Sequence, residues 1–138
     1  MIPEALGQPA LHHVGIVVHD LEAAVARYRT LGFGEPEVFD VPDQGVRVAS
    51  FHAGPGHIEL LTPTVPDTGV ARFLAARGEG MHHVAFGVRD LRGTLRRLAE
   101  AGIELIDAEP RRGIHDWRIA FLHPRSCGGV LVELVEVE

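Results

Sequence analysis

Apolar and polar positions alternate in two stretches of the chain, and after each stretch the period changes. The chain reads LHHVGIVVHDL from position 11 and MHHVAFGVRDL from position 81. At this offset of 70 residues, both histidines, the first and last valines, the aspartate and the final leucine are identical. Alternation with period two predicts a strand in each copy. Beyond each strand the apolar residues fall at i, i+4 and i+7, which is one face of a helix. They are Leu21, Val25 and Tyr28 in the first copy and Leu91, Leu95 and Leu98 in the second. Asp20 and Asp90 stand where an N-cap belongs, and Gly32 and Gly102 where a helix stops. Cap, face and stop recur at one offset, so the repeat covers whole strand–helix units.

Three extended segments follow each helix, over 35–41, 46–53 and 57–61 and then over 104–108, 118–123 and 130–135. Arg47-Val48-Ala49 and His52 are mirrored by Arg118-Ile119-Ala120 and His123, and Ile58-Glu59-Leu60 by Val132-Glu133-Leu134. Between the halves, 67–77 predicts a connector helix carrying Val70, Phe73 and Leu74. The expected fold is α+β. Two tandem βαβββ modules, about 9–62 and about 80–138, form a shared concave mixed sheet around a groove. Each module alone buries too little surface to be stable, so 1–138 is expected to be one domain.

Strand alternation separates the histidines. His12 shares a face with Val14, Ile16 and Val18, and His82 with Val84, Phe86 and Val88. These apolar faces should meet the helices. His13 goes with Gly15 and Val17, and His83 with Ala85 and Gly87. The small neighbours leave room for a ligand. Glu59 and Glu133 occupy matching places on the last strand of each module, in HIELL and VLVELV. Strands disfavour carboxylates, and a buried one is costly unless paired or metal-bound. His13, Glu59, His83 and Glu133 thus make a two-histidine, two-carboxylate ligand set. It suits a borderline divalent ion, with Co²⁺ first and Ni²⁺, Zn²⁺, Mn²⁺ and Fe²⁺ as alternatives. A strand histidine is more often structural and a strand glutamate solvated; four positions agreeing under one symmetry outweigh that reading. His57 shares Glu59's strand face as a spare donor.

Composition narrows the function. With 46% hydrophobic and 23% charged residues the chain can bury a core. A net charge of −6 argues against a nucleic-acid partner, and no apolar run reaches the roughly 18 residues of a membrane span. No secretory signal is visible, and Cys127 is alone; both suit a cytoplasmic protein.

The duplicated module with its His and Glu ligands resembles the vicinal oxygen chelate superfamily. Within it, PDQGVRV (42–48), GEGMHHVAF (78–86) and RIAFLHPRSCGGVLVELVE (118–136) resemble the methylmalonyl-CoA epimerase family. The resemblance runs from Leu11 to Glu138 and carries the family's metal ligands to His13, Glu59, His83 and Glu133. It implies an isomerase that interconverts the C2 epimers of methylmalonyl-CoA through a metal-stabilised enolate, with an acyl-CoA as small-molecule partner and a homodimer as assembly. Glu133 is implied as one acid–base residue. Where some relatives carry a second acid this chain has Val48, which leaves Asp43 on the preceding turn as the candidate. GIHDW (113–117) replaces a stretch that is usually glycine-rich. Rival readings are a glyoxalase I-type lyase, which shares the ligand set, a dioxygenase, for which Glu59 is superfluous, and a metal-free small-molecule binding protein of the same fold. Arg47, Arg77, Arg111, Arg112 and Arg118 are candidates for phosphate contacts.

Overall fold

The computed structural model describes residues 6–138. They divide into two compact units. The first is His13–His82; the second joins residues up to His12 to His83–Glu138. The described residues contribute eight strands and three α-helices, as the α+β expectation requires.

The first unit holds most of β1 (Ala10–Val17), α1 (Leu21–Thr30), β2 (Glu37–Val41), β3 (Val46–Ala53), β4 (Gly56–Pro63) and α2 (Gly69–Arg77). Its strands run in the order β2-β3-β4-β1, with β1 parallel to β4 and the other pairs antiparallel. One sheet face packs on α1. Val18, Ala24, Val25, Ala49, Phe51 and Leu60 form its core, with Ile16 and Tyr28 at the margin.

The second unit repeats the plan with most of β5 (Gly80–Val88), α3 (Leu91–Glu100), β6 (Arg111–Arg112), β7 (Arg118–Leu122) and β8 (Val132–Glu136). Their order is β5-β8-β7-β6, with β5 parallel to β8. Leu91, Leu95 and Leu98 of α3 pack on Val88, Ala120, Leu122, Val132 and Leu134. The opposite face carries a smaller cluster of Ala85, Ile119, Phe121 and Val135, with Trp117 beside it.

Both predicted caps form. Asp20 Oδ1 accepts from the Ala23 amide at 3.1 Å and Asp90 Oδ1 from the Gly93 amide at 3.2 Å. Glu136 of β8 accepts from the Leu91 amide at 2.8 Å and so ties α3 to the sheet. Asp90 sits at φ 47°, in the left-handed region that aspartate tolerates better than most residues.

Two elements differ from expectation. The connector helix starts at Gly69 rather than 67, because the Thr68 hydroxyl caps it by accepting from the Ala71 amide at 3.1 Å. Asp67 stands outside at φ 64°. The extended segment expected over 104–108 shrinks to a single bridge, Leu105 opposite Leu122. The Phe121 carbonyl accepts from both the Ile106 and Asp107 amides, at 2.9 and 3.2 Å. The Asp107 carboxylate in turn accepts from the Phe121 amide at 2.9 Å. A side chain therefore stands where a ladder carbonyl would be, and pairing resumes only at β6.

Removing the Asp20 cap with Asp20→Ala should cost about 1 kcal/mol in urea unfolding. Asp90→Ala should cost about 1–2 kcal/mol more, since alanine at φ 47° is strained as well as uncapped. Asp90→Gly should cost least, about a few tenths of a kcal/mol, because glycine is tolerated at an N-cap and adopts φ 47° without strain.

Candidate metal and acid–base site

Strand register builds the same arrangement in each unit. Glu59 on β4 pairs with Gly15 on β1, and Glu133 on β8 pairs with Ala85 on β5. Each small residue lies two positions past a histidine, on the same strand face. His13 and His83 therefore reach diagonally to the glutamate of the neighbouring strand. The His13 Nε2 to Glu59 Oε1 distance is 3.3 Å, and the His83 Nε2 to Glu133 Oε1 distance is 3.2 Å. The small residue opposite each carboxylate keeps side-chain bulk out of the contact. All four side chains are buried, at 2%, 4%, 7% and 6% exposure for His13, Glu59, His83 and Glu133.

Burial, and secondarily the charge of His57, lowers the His13 pKa to about 4, so the ring is neutral near pH 7. Its contact with Glu59 is then one between a neutral imidazole and the glutamate side chain rather than an ion pair. Burial pushes the Glu133 carboxyl up; His83, then His12 and Arg111, pull it back, and Asp107 raises it further.

This donor set fits a divalent ion. Bonds of about 2.1 Å meeting at a right angle put two donors roughly 3.0 Å apart. The observed Nε2–Oε1 separations lie close to that value in both units. A neutral imidazole offers a lone pair once its proton is displaced, and a buried carboxylate gains most from a neighbouring cation.

Asp43 lies in the same unit as His13 and Glu59. It is exposed in the first turn of a 3₁₀ segment, Pro42–Gln44, that leads into β3. Val48 is buried at 1% and shares a strand face with Ser50, the residue opposite Glu59. Val48, where the resemblance implies an acid in some relatives, thus faces the His13–Glu59 side of this sheet and carries no titratable group.

Several contacts around the second pair were not assigned from sequence. Asp107 Oδ2 lies 3.3 Å from Arg111 Nε, and the Arg111 guanidinium sits 5.2 Å above the Phe121 ring. Phe121 is edge-on to His83 at 6.0 Å. The Asp107–Arg111 spacing was visible, but it signals a contact only once the irregular segment before β6 is known. His12, expected on the helix side, packs its ring edge-on against Trp117 at 4.7 Å, and Trp117 also meets His115 at 5.2 Å. The 114–116 turn bends sharply to allow this, with His115 at φ 54° and Asp116 at φ 59°. Of the arginines proposed for phosphates, Arg47 is held by Asp40 at 2.8 Å and Arg112 by Asp116 at 3.3 Å. Arg77 lies over Phe73 at 5.6 Å.

Comparison with known proteins agrees with this architecture. Residues 12–121 match the Glyoxalase/Bleomycin resistance protein/Dioxygenase superfamily. The chain is 42% identical over 132 residues to an ethylmalonyl-CoA/methylmalonyl-CoA epimerase of Cereibacter sphaeroides, covering 92% of this chain and 97% of that protein. The crystal structure of methylmalonyl-CoA epimerase from Mycobacterium tuberculosis is similar at a TM-score of 0.90 and 38% identity, over 100% of this chain and 93% of that one. A structure of methylmalonyl-CoA epimerase in complex with methylmalonyl-CoA and NH4+ is similar at a TM-score of 0.87 and 41% identity, over 91% and 92% of the two chains.

Proposed function

We propose that this chain, which belongs to the Glyoxalase/Bleomycin resistance protein/Dioxygenase superfamily, is a metal-dependent epimerase acting on methylmalonyl-CoA. The observation that carries the reading is the duplicated buried pair, His13 with Glu59 and His83 with Glu133, in a chain about 40% identical to epimerases over nine-tenths of its length. These four residues are the ligands in this reading, and Co²⁺ is the first candidate ion. When bound, the ion supplies positive charge to the thioester and carboxylate oxygens of the substrate, lowering the cost of charge that develops there.

The chain's own residues then handle the proton. The C2–H bond breaks as the Glu133 carboxylate accepts the proton, and the electron pair spreads onto the thioester. A second acid forms a new C2–H bond on the opposite face. Glu133 suits its part as a carboxylate with 6% exposure, where little water competes for the proton. Val48 cannot serve as the second acid, which leaves Asp43 as the proposed donor. The substrate partner is an acyl-CoA.

A homodimer and a cytoplasmic setting complete the reading. Leu11 and Met81, at equivalent positions of the repeat, are 55% and 67% exposed and offer apolar surface to a second copy. Among the described residues no helix is long and apolar enough to cross a membrane. Cys127 is a free thiol.

Protein purified without chelator should hold about one divalent ion per chain by elemental analysis. His83→Ala and Glu133→Ala should lose it and His82→Ala should keep it. Equal loss in His82→Ala would place the wrong histidine at the metal.

Given one epimer in D₂O, the loaded protein should approach an equal mixture and place deuterium at C2, and chelator should stop both. Rapid consumption of a glutathione–methylglyoxal hemithioacetal without exchange at C2 would replace this reading with a lyase.

Glu133→Gln should slow epimerisation by about 10²-fold or more, since an amide accepts no proton. Asp43→Asn should slow it comparably. A rate within about twofold of wild type, roughly 0.4 kcal/mol of barrier, would remove Asp43 from the mechanism.

A further inference from the structure

We propose that His52 and His57 form a second, solvent-facing site for a divalent metal ion, through which the ion reaches His13 and Glu59. The proposal rests on the reading of His13 and Glu59 as metal ligands. It comes from the sheet register of the first unit. His52 on β3 lies opposite His57 on β4, and His57 lies opposite His13 on β1. Residues paired across strands point to one face of a sheet, so three imidazoles form a row over three adjacent strands. Glu59, two residues beyond His57 on β4, shares that face. The His52 and His57 rings stand 4.8 Å apart between centroids, tilted by 44°.

Exposure falls along the row. His52 is exposed, His57 is half-buried, and His13 retains 2% of its surface. A hydrated ion can therefore meet His52 first and exchange water for imidazole in steps. Neighbouring strands lie about 4.8 Å apart, so each donor is within one short move of the next. Imidazole is a good ligand for Co²⁺, Ni²⁺, Cu²⁺ and Zn²⁺. The buried end of the row is the more favourable, because Glu59 adds a charged donor there. The rival explanation is that the two rings simply stack and stabilise the β3–β4 hairpin. That role would change unfolding but not the rate of metal exchange.

The test uses the full chain stripped with chelator and mixed with Co²⁺, following uptake by visible absorption and release by a competing chelator. His52→Gln and His57→Gln should each slow uptake and release by at least about tenfold. Final occupancy and Kd should stay within about twofold, because a route changes both directions equally. In wild-type protein already filled with Zn²⁺, added Ni²⁺ should broaden the His52 and His57 ring signals in NMR spectra. Exchange rates within about twofold of wild type, or no broadening of either ring at millimolar Ni²⁺, would overturn the proposal. Loss of occupancy along with rate would also overturn it, making these residues ligands of the main centre. If the wild-type chain takes up no ion at all, the metal centre itself is wrong and the route falls with it.

Discussion

A carboxylate buried in a β-strand is the constraint from which much of this molecule follows. Taking such a group out of water costs several kcal/mol unless a partner compensates it. In each unit the partner is a histidine reaching across from the parallel neighbour strand. The contact requires the two strands to be adjacent, in parallel, and in one register. It also requires a small residue opposite the carboxylate, supplied by Gly15 in one unit and Ala85 in the other. The other face of the same sheet must then be apolar enough to hold the helix. The helix-side cores answer that need, built around Phe51 and Leu60 in one unit and Leu95 and Leu134 in the other.

The two units share this plan and differ in what surrounds it. Opposite Glu59 stands Ser50; opposite Glu133 stands Phe121. Phe121 brings an aromatic edge to His83 and a face to Arg111, so the second pair sits among more apolar and more charged neighbours at once. Those neighbours give Glu133 its opposing influences, with burial raising the pKa and nearby cations lowering it. In the reading proposed here Glu59 is a ligand only and Glu133 a ligand and base.

The second unit carries irregular backbone between α3 and β7. His115 and Asp116 take left-handed conformations in succession, and Asp107 substitutes its side chain for a ladder carbonyl. Strain of this kind persists only where surrounding contacts hold it. Here Trp117, wedged between His12 and His115, and the Gly113 amide bonded to the Trp117 carbonyl at 2.7 Å do so.

Periodicity and repetition made much of this legible in the sequence. A 70-residue offset repeated caps, helix faces and stops, because each is a local device that needs only its own few residues. Alternation also separated His13 from His12 and His83 from His82, since the phase of a strand is a local property. Tertiary structure decided the rest. The neighbours of Glu133 come from residues 12, 83, 107 and 111, which lie far from it along the chain. The row of His52, His57 and His13 depends on the register of three strands, and register is settled by pairing over long separations rather than by any one segment. The segment at 104–108 looked like a strand by composition. It became a bridge because Asp107 met the Phe121 amide, a contact that exists only after β7 is in place.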